Sequence, residues 1–362
     1  MSDFSARIIK WQRQHGRHGL PWQGADAYRV WLSEIMLQQT QVATVIPYYQ
    51  RFIARFPNIV ALAAASEDEV LAHWSGLGYY ARGRNLHRAA QIIAEGYQGE
   101  FPRELEQILQ LPGVGRSTAA AISVFAFHGR YAILDGNVKR VLARYFAVPG
   151  FTGEKKIEAQ LWQQAEALLP QQLPPPPEGE GRKGGGIAAY TQGLMDLGAT
   201  VCTRSKPCCD ICPVQADCKA YQSGRTAQYP APRPRKALPK KHTTFLLLLH
   251  DNDILLEKRP GSGIWGGLWC PPQLDDARNA PACCTRRFGV DATRALALPA
   301  FMHTFTHFKL HITPLLVQVA HKPNQAQEPG MVWLDRKDAL RAAIPAPLRK
   351  LLRELQMQHV LA

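Results

Sequence analysis

Cys202, Cys209, Cys212 and Cys218 stand in the order C-x6-C-x2-C-x5-C, and no other feature of the chain limits its fold so strongly. That spacing lets one loop wrap four thiolates around an iron-sulfur cube. Zinc is the competing reading, although structural zinc usually takes two C-x2-C knuckles and only Cys209 to Cys212 forms one. Plain structural cysteines are the third, and the crowding of these four, of eight in the chain, into seventeen positions that also hold Cys208 argues against it. Cys208 is a spare thiol beside Cys209, so spacing alone leaves open which neighbour ligates. Arg204, Lys206, Pro207 and Pro213 share the loop, which follows a helical segment from Tyr190 to Leu197.

Clustered thiols reserved for metal suit a reducing compartment, where disulfides are rare. Met1 to Lys10 is polar and charged rather than signal-like, and no apolar run approaches a membrane span. The expectation is a cytoplasmic protein with no membrane contact. A net charge of +14 fits a polyanionic partner, because each phosphate neutralised releases counterions. A solvated basic surface without a partner is the plainer alternative. With 362 residues, 46% of them hydrophobic, two or three domains are expected.

From Phe4 to about Tyr221 the apolar spacing is helical, with Phe4, Ile8 and Trp11 on one face, and strand patterns are missing. Gly76-Leu77-Gly78, Pro112-Gly113, Asp135-Gly136 and Pro149-Gly150 cut this region into short helices. Leu173 to Gly186, with four consecutive prolines and a glycine-rich basic end, reads as a surface loop. Pro230, Pro232, Pro234 and Pro239 make Ser223 to Lys241 a stiff basic connector and the domain boundary. Beyond it, Thr244 to Leu249 and Ile254 to Glu257 flank an Asp251-Asn252-Asp253 turn, a hairpin signal. His311 to Val319 reads as another strand and Ala339 to Gln356 as one or two helices. The expected fold class is therefore multidomain: an all-α domain over 1–222, a linker over 223–242, and an α+β domain over 243–362.

Leu111-Pro112-Gly113-Val114-Gly115 joins a helix bearing Leu105, Ile108 and Leu109 to one rich in alanine. Glycines on either side of Val114 permit a tight turn whose backbone N–H groups, at a helix start, suit a phosphate. An ordinary helix-helix turn would look the same in isolation. Twenty residues on, Leu134-Asp135-Gly136-Asn137-Val138 places Asp135 at the start of a helix whose face is Val138, Val141, Leu142 and Tyr145. Asp is a common N-cap there, and the helix end favours its charged form.

In this order, these segments resemble the helix-hairpin-helix DNA glycosylases that carry an iron-sulfur cluster, and most closely the adenine-specific branch. The resemblance rests on Trp31-Leu32-Ser33-Glu34-Ile35-Met36-Leu37-Gln38-Gln39-Thr40-Gln41, Gly76 to Arg82, Leu111 to Thr118, Leu134 to Val141 and the cysteine loop. It implies a 4Fe-4S cofactor on Cys202, Cys209, Cys212 and Cys218, and duplex DNA with an A·8-oxoguanine or A·G mispair as partner. It implies removal of the adenine by hydrolysis, with Glu34 protonating N7 of the base and Asp135 stabilising the cationic sugar. Apolar neighbours Ile35, Met36 and Leu37 suit a raised Glu34 pKa, and Asn137 is placed to orient Asp135 or a water. Related glycosylases that also cut the strand hold a lysine where this chain has Ser117, and a hydroxyl forms no imine. Gln39 and Tyr79 match positions that wedge into the duplex, since the target base must leave the stack. Gln38, Gly113, Val114, Gly115, Arg204 and Lys206 complete the expected DNA contacts.

Adenine is an undamaged base, so selectivity must come from its partner. The resemblance assigns this to a Nudix-like second domain through Phe305, Thr306 and His307, where the family reads Phe-Ser-His. Gly266 to Arg287 contains no glutamate, so a metal-dependent pyrophosphatase is not expected. The remaining expectations are a monomer, bacterial in type and nucleoid-associated, with the connector as the place for contacts with other repair proteins. A thymine-mismatch or endonuclease III-like enzyme is the alternative within the class, and a non-catalytic iron-sulfur DNA-binding protein the alternative outside it.

Overall fold

The computed structural model describes residues 4–171, 185–234, 237–275, 278, 280–322 and 330–357. Most of the proline-glycine insert therefore lies outside the described residues. The chain forms two packed units, one of residues 1–63 and 88–235, the other of residues 64–87 and 236–362.

Helices dominate as the apolar periodicity predicts: α1 Phe4–His15, α2 Ala27–Leu37, α3 Val42–Arg55, α4 Ile59–Ala64, α5 Glu67–Trp74, α6 Ala81–Gly96, α7 Leu105–Leu109, α8 Arg116–Phe127, α9 Gly136–Tyr145, α10 Lys155–Ala167, α11 Gly186–Asp196 and α12 Lys219–Gln222. Their ends follow local chemistry. Asp26 caps α2 through the Arg29 N–H at 3.0 Å, and Asp135 caps α9 through the Val138 N–H at 2.8 Å. The expected face of α9, Val138, Val141, Leu142 and Tyr145, is buried in a core shared with Phe4, Ile8 and Trp11 of α1 and Leu194 of α11. At Gly193 a Cβ would lie 2.8 Å from Cγ2 of Ile8, so only glycine lets α1 and α11 approach so closely.

The second unit is built on a sheet of β1 Lys240–His250, β2 Asp253–Lys258, β3 Trp269–Cys270, β4 Gln273–Leu274, β5 Ala292–Ala297, β6 Phe301–Thr304, β7 Lys309–Val319 and β8 Met331–Asp335. Its helices are α13 Ala280–Phe288, α14 Arg336–Ala339 and α15 Ala346–Met357. The predicted hairpin forms, with His250 opposite Asp253 and Asp251 in the left-handed region at φ 50°. β1 then pairs in parallel with β7 from Lys240↔Lys309 to Leu249↔Gln318. Helices cover both faces, which explains the unbroken Leu246 to Leu249 run. Phe245, Leu247 and Leu249 pack with Leu348, Leu352 and Leu355 of α15, whereas Leu246 and Leu248 pack with Cys284 and Phe288 of α13.

Two features depart from the linear domain division. α5 and the loop after it pack with the sheet unit: Leu71 shares its core with Phe245 and Leu268, and Lys258 pairs with Asp68 at 2.7 Å. The first half of the connector is fastened to the helical unit, because the buried Arg144 guanidinium takes the carbonyls of Thr226 (3.2 Å) and Tyr229 (2.9 Å). Ala231 N–H adds a bond to the Gly150 carbonyl at 3.2 Å. Composition alone marks such a segment as extended; it does not show what the segment binds.

Candidate active site

α2 carries Glu34 on the wall of a cavity of about 360 Å³, while Trp31, Leu32, Ile35 and Met36 point into the core. Burial, then the adjacent Asp135 carboxylate, raises the Glu34 pKa from 4.5 to about 8. The apolar neighbours in sequence pointed in this direction. The Coulombic contact with Asp135 is what sequence alone could not supply.

Asp135 is half-buried at the N-terminus of α9, with Oδ1 fixed by the Val138 N–H. The preceding residue is also fastened: Ser117 Oγ accepts from the Leu134 N–H at 3.0 Å. Ser117 thus holds the chain where it enters Asp135. Asn137 Oδ1 accepts from Arg140 Nη2 at 2.8 Å, and Arg140 also donates to the carbonyls of Gly198 (2.6 Å) and Cys202 (2.8 Å). α9 and the π-helical turn Leu197–Val201 lie so close that a Cβ on Gly198 would stand 2.6 Å from Asn137 Cβ. Of Glu34, Asp135, Asn137 and Ser117, Glu34 alone lines the cavity; Asp135 and Asn137 belong to the start of α9, and Ser117, on α8, is bonded to the residue before Asp135.

The rest of the cavity wall was not legible in sequence. Asp196, fully buried, accepts from Arg17 N (2.8 Å) and Nε (2.7 Å) and from Gln192 Nε2 (2.9 Å). Arg17 and Gln192 both face the cavity, with Trp22 and Leu37 adding apolar surface. Because Asp196 takes the amide N–H of Gln192, the Gln192 carbonyl oxygen is left as the acceptor.

The expected DNA-facing residues fall into separate groups. Gln38, at the end of α2, donates to the Gly113 carbonyl (3.4 Å) and to Thr118 Oγ1 (3.3 Å), which ties α2 to the hairpin. Gly113 has φ 80°, a conformation the turn requires of it. Val114 is buried and Gly115 is exposed at the start of α8. Gln39 is exposed with φ 58°, and Tyr79, in the sheet unit, is exposed with φ 50°. Non-glycine residues persist in that region only when their surroundings hold them there. Arg204 and Lys206 are exposed in the cysteine loop. Phe305, Thr306 and His307 form the turn between β6 and β7, closed by Phe305 N–H to the Phe308 carbonyl at 2.9 Å; the Phe305 and Phe308 rings stack at 4.5 Å and leave Thr306 and His307 exposed.

All the cysteines are unpaired thiols. Cys202, Cys209, Cys212 and Cys218 line one small cavity, and each of Cys209, Cys212 and Cys218 feels the charge of other members of this set. Cys208 touches the same cavity but is exposed, which favours Cys209 as the inward thiol. Burial pushes the Cys212 thiol up to about 11, so thiolates here need a cation. Arg144, at 3% exposure, points Nη1 at Cys202 Sγ (3.3 Å), with its remaining donors on the carbonyls of Thr203, Arg204, Thr226 and Tyr229. A buried guanidinium facing sulfur and carbonyls fits an anionic thiolate assembly.

Comparison with known proteins accords with this geometry. A family model for the HhH-GPD superfamily base excision DNA repair proteins matches residues 32–167, and one for the NUDIX domain matches 243–354. Among solved structures, a thermostable thymine-DNA glycosylase aligns with TM-score 0.51 and 28% identity over 61% of this chain and 95% of its own. An endonuclease III in a non-covalent DNA complex aligns with TM-score 0.50 and 19% identity, covering 61% and 94%, a likeness of fold. Fold and site thus define a helix-hairpin-helix base excision repair glycosylase joined to a Nudix-like domain, the fold class expected from sequence. The adenine DNA glycosylase of Buchnera aphidicola subsp. Acyrthosiphon pisum is 38% identical over 96% of both chains, and that of Homo sapiens 34% identical over 98% of this chain and 74% of the human one. The chain belongs to the adenine DNA glycosylase family, hydrolases that act on N-glycosyl bonds.

Proposed function

We propose that this enzyme removes adenine paired with 8-oxoguanine, or with guanine, by hydrolysis, and leaves an uncut strand with an abasic site. The observation that carries the reading is Glu34: its carboxyl lines the cavity and, with a pKa near 8, holds its proton at neutral pH. Adenine is a poor leaving group as an anion, so a proton delivered at N7 lowers the barrier as the glycosidic bond lengthens. The Asp135 carboxylate that raises the Glu34 pKa is also the group to stabilise positive charge growing on the sugar.

The Gln192 carbonyl, left as acceptor by Asp196, suits the 6-amino donor of adenine. Ser117 supplies no amine for a Schiff base, and its hydroxyl is engaged with Leu134, which supports hydrolysis without strand cleavage. Asn137 is held by Arg140 beside Asp135 and orients the turn. Gln39 and Tyr79 fill the space left by the extruded nucleotide; Gln38 fixes the hairpin, whose Gly113 to Gly115 backbone takes phosphate. Thr306 and His307 meet the opposite base. Cys202, Cys209, Cys212 and Cys218 hold a 4Fe-4S cluster, which when bound supplies iron-thiolate cross-links and presents Arg204 and Lys206 to phosphate.

Base release measured under single-turnover conditions, on duplexes with adenine opposite 8-oxoguanine, guanine or thymine, tests this reading. Release opposite the first two, with loss in Glu34→Gln and Asp135→Asn while DNA binding persists, is the expected result. Full activity in both variants would overturn it, and strand breaks without alkali would overturn the monofunctional assignment.

A further inference from the structure

Two of the groups assigned to DNA belong to the same packed unit: Tyr79, and the turn Phe305–His307. The loop that carries Tyr79 has three left-handed residues, Gly76 (φ 109°), Gly78 (φ 74°) and Tyr79 (φ 50°). From within, Arg82 donates to the carbonyls of Leu77 (3.3 Å) and Gly78 (3.2 Å) and lies over the rings of Trp74 (5.4 Å) and Tyr79 (5.5 Å). From outside, both ends of the loop are fastened to the sheet domain. At the front, the buried Ser75 donates to the Ile344 carbonyl at 2.8 Å and accepts from Arg349 Nη2 at 2.9 Å. At the back, the Arg84 guanidinium donates to the Gly266 carbonyl, while Arg84 N–H bonds to the Tyr80 carbonyl at 3.1 Å.

Gly266 follows Trp265, a buried tryptophan with φ 53° whose ring lies 5.6 Å from Phe305 and 5.8 Å from His303. There is little slack at this joint. A Cβ on Gly266 would stand 2.7 Å from the Gly261 carbonyl oxygen, and one on Gly267 would be 3.4 Å from Arg84 Cδ. A continuous path of contacts therefore runs from Phe305 through Trp265, Gly266, Arg84 and Tyr80 to Tyr79.

We propose that Arg84 and Ser75 are positioning residues that couple the Tyr79 wedge to the Phe305–His307 turn, so that the base met by the turn governs insertion of the wedge. The proposal rests on the reading of Tyr79 as wedge and of the turn as opposite-base contact. A left-handed tyrosine keeps its conformation only while its anchors hold. The anchors here lie on the element that carries the reader, so a shift of the turn on engaging its base is transmitted to the wedge through packed groups. Selectivity then acts on base extrusion, before the chemistry at Glu34.

The experiment uses the full-length protein at saturating concentration and duplexes with 2-aminopurine in the adenine position, opposite 8-oxoguanine or guanine. 2-Aminopurine brightens on leaving the stack and so reports the wedge. Wild type is expected to give a larger rise opposite 8-oxoguanine, and Tyr79→Ala to lose the rise opposite both. Arg84→Met and Ser75→Ala should keep a rise but lose the difference, the ratio between the two duplexes falling about threefold or more toward unity. Arg84→Lys should restore part of it. Thermal melting separates this from unfolding, which would lower both signals together and leave Arg84→Lys as the deciding variant. A wild-type ratio in Arg84→Met and Ser75→Ala overturns the coupling alone. An undiminished rise in Tyr79→Ala, or a wild-type ratio in His307→Ala, overturns the wedge or reader assignment, and the coupling falls with it.

Discussion

Arg140 donates from Nη2 to Asn137 Oδ1 at 2.8 Å, and the same guanidinium donates from Nε to the Cys202 carbonyl at 2.8 Å. The turn that presents Asp135 is thereby tied to the first cysteine of the loop through Arg140, which stands one helical turn along α9 from Asn137. Arg140→Gln should leave DNA affinity within about threefold but slow base release by about tenfold to a hundredfold, as expected when a reacting group loses its placement. Binding and single-turnover assays on one duplex check this, and an unchanged rate would show that Asn137 needs no such support.

The raised Glu34 pKa makes a second, separate prediction, for stability as well as rate. A carboxyl whose pKa goes from 4.5 unfolded to about 8 folded binds its proton more tightly in the native state. Its contribution is fully present below the unfolded value and is lost as pH rises through about 8. Base release limited by the protonated acid depends on the folded pKa alone, so it should stay level at lower pH and fall on the alkaline side of about 8. Melting temperature should therefore decline for wild type between about pH 5 and about pH 9 more steeply than for Glu34→Gln, which stays neutral throughout. Parallel melting curves for the two proteins would refute the assigned pKa.

Ser117, where strand-cutting relatives hold a lysine, has a structural task. Its hydroxyl is the acceptor for the N–H of Leu134, a buried residue directly before Asp135. Ser117→Ala leaves that N–H without its acceptor, which should cost about 1–2 kcal/mol of stability and slow base release. Denaturant unfolding measures the first and a single-turnover assay the second. A variant as stable and as fast as wild type would mean that the Leu134 bond contributes little.

What was legible in the sequence is what is encoded over short stretches of chain. The Asp135 cap, the face of α9 and the glycine turn at Gly113 each depend on residues within one or two helical turns, and the cysteine spacing on a single short loop. Family resemblance then attached chemistry to those positions. The cavity wall was hidden because it joins distant segments: Arg17 and Gln192 are brought together by Asp196, whose sequence neighbourhood is an ordinary apolar helix. The same holds for Ser75, an unremarked serine beside a glycine turn until Ile344 and Arg349, far along the chain, are placed against it. Connector residues Thr226 and Tyr229 read as linker because composition reports backbone stiffness, whereas their attachment depends on Arg144.

Arg144 offers the most direct test of how the cysteine loop is held. Its guanidinium is buried and bonds to carbonyls of Thr203 (2.7 Å) and Arg204 (3.0 Å) in the loop, to those of Thr226 and Tyr229 beyond it, and to Cys202 Sγ. Arg144→Met keeps much of the apolar stem but removes every one of these donors. Several half-buried carbonyls then lose their partners, and the thiolates of the proposed cluster lose a neighbouring counter-charge, at a combined cost of about 3–5 kcal/mol. Lysine restores the charge without the planar fork, so Arg144→Lys should fall between the two. The variants should rank wild type, Lys, Met in melting temperature, in iron bound per chain and in resistance of the 202–218 loop to proteolysis. Equal iron content in all three would show that the loop closes without its arginine, and would leave Arg144 as an anchor for the connector alone.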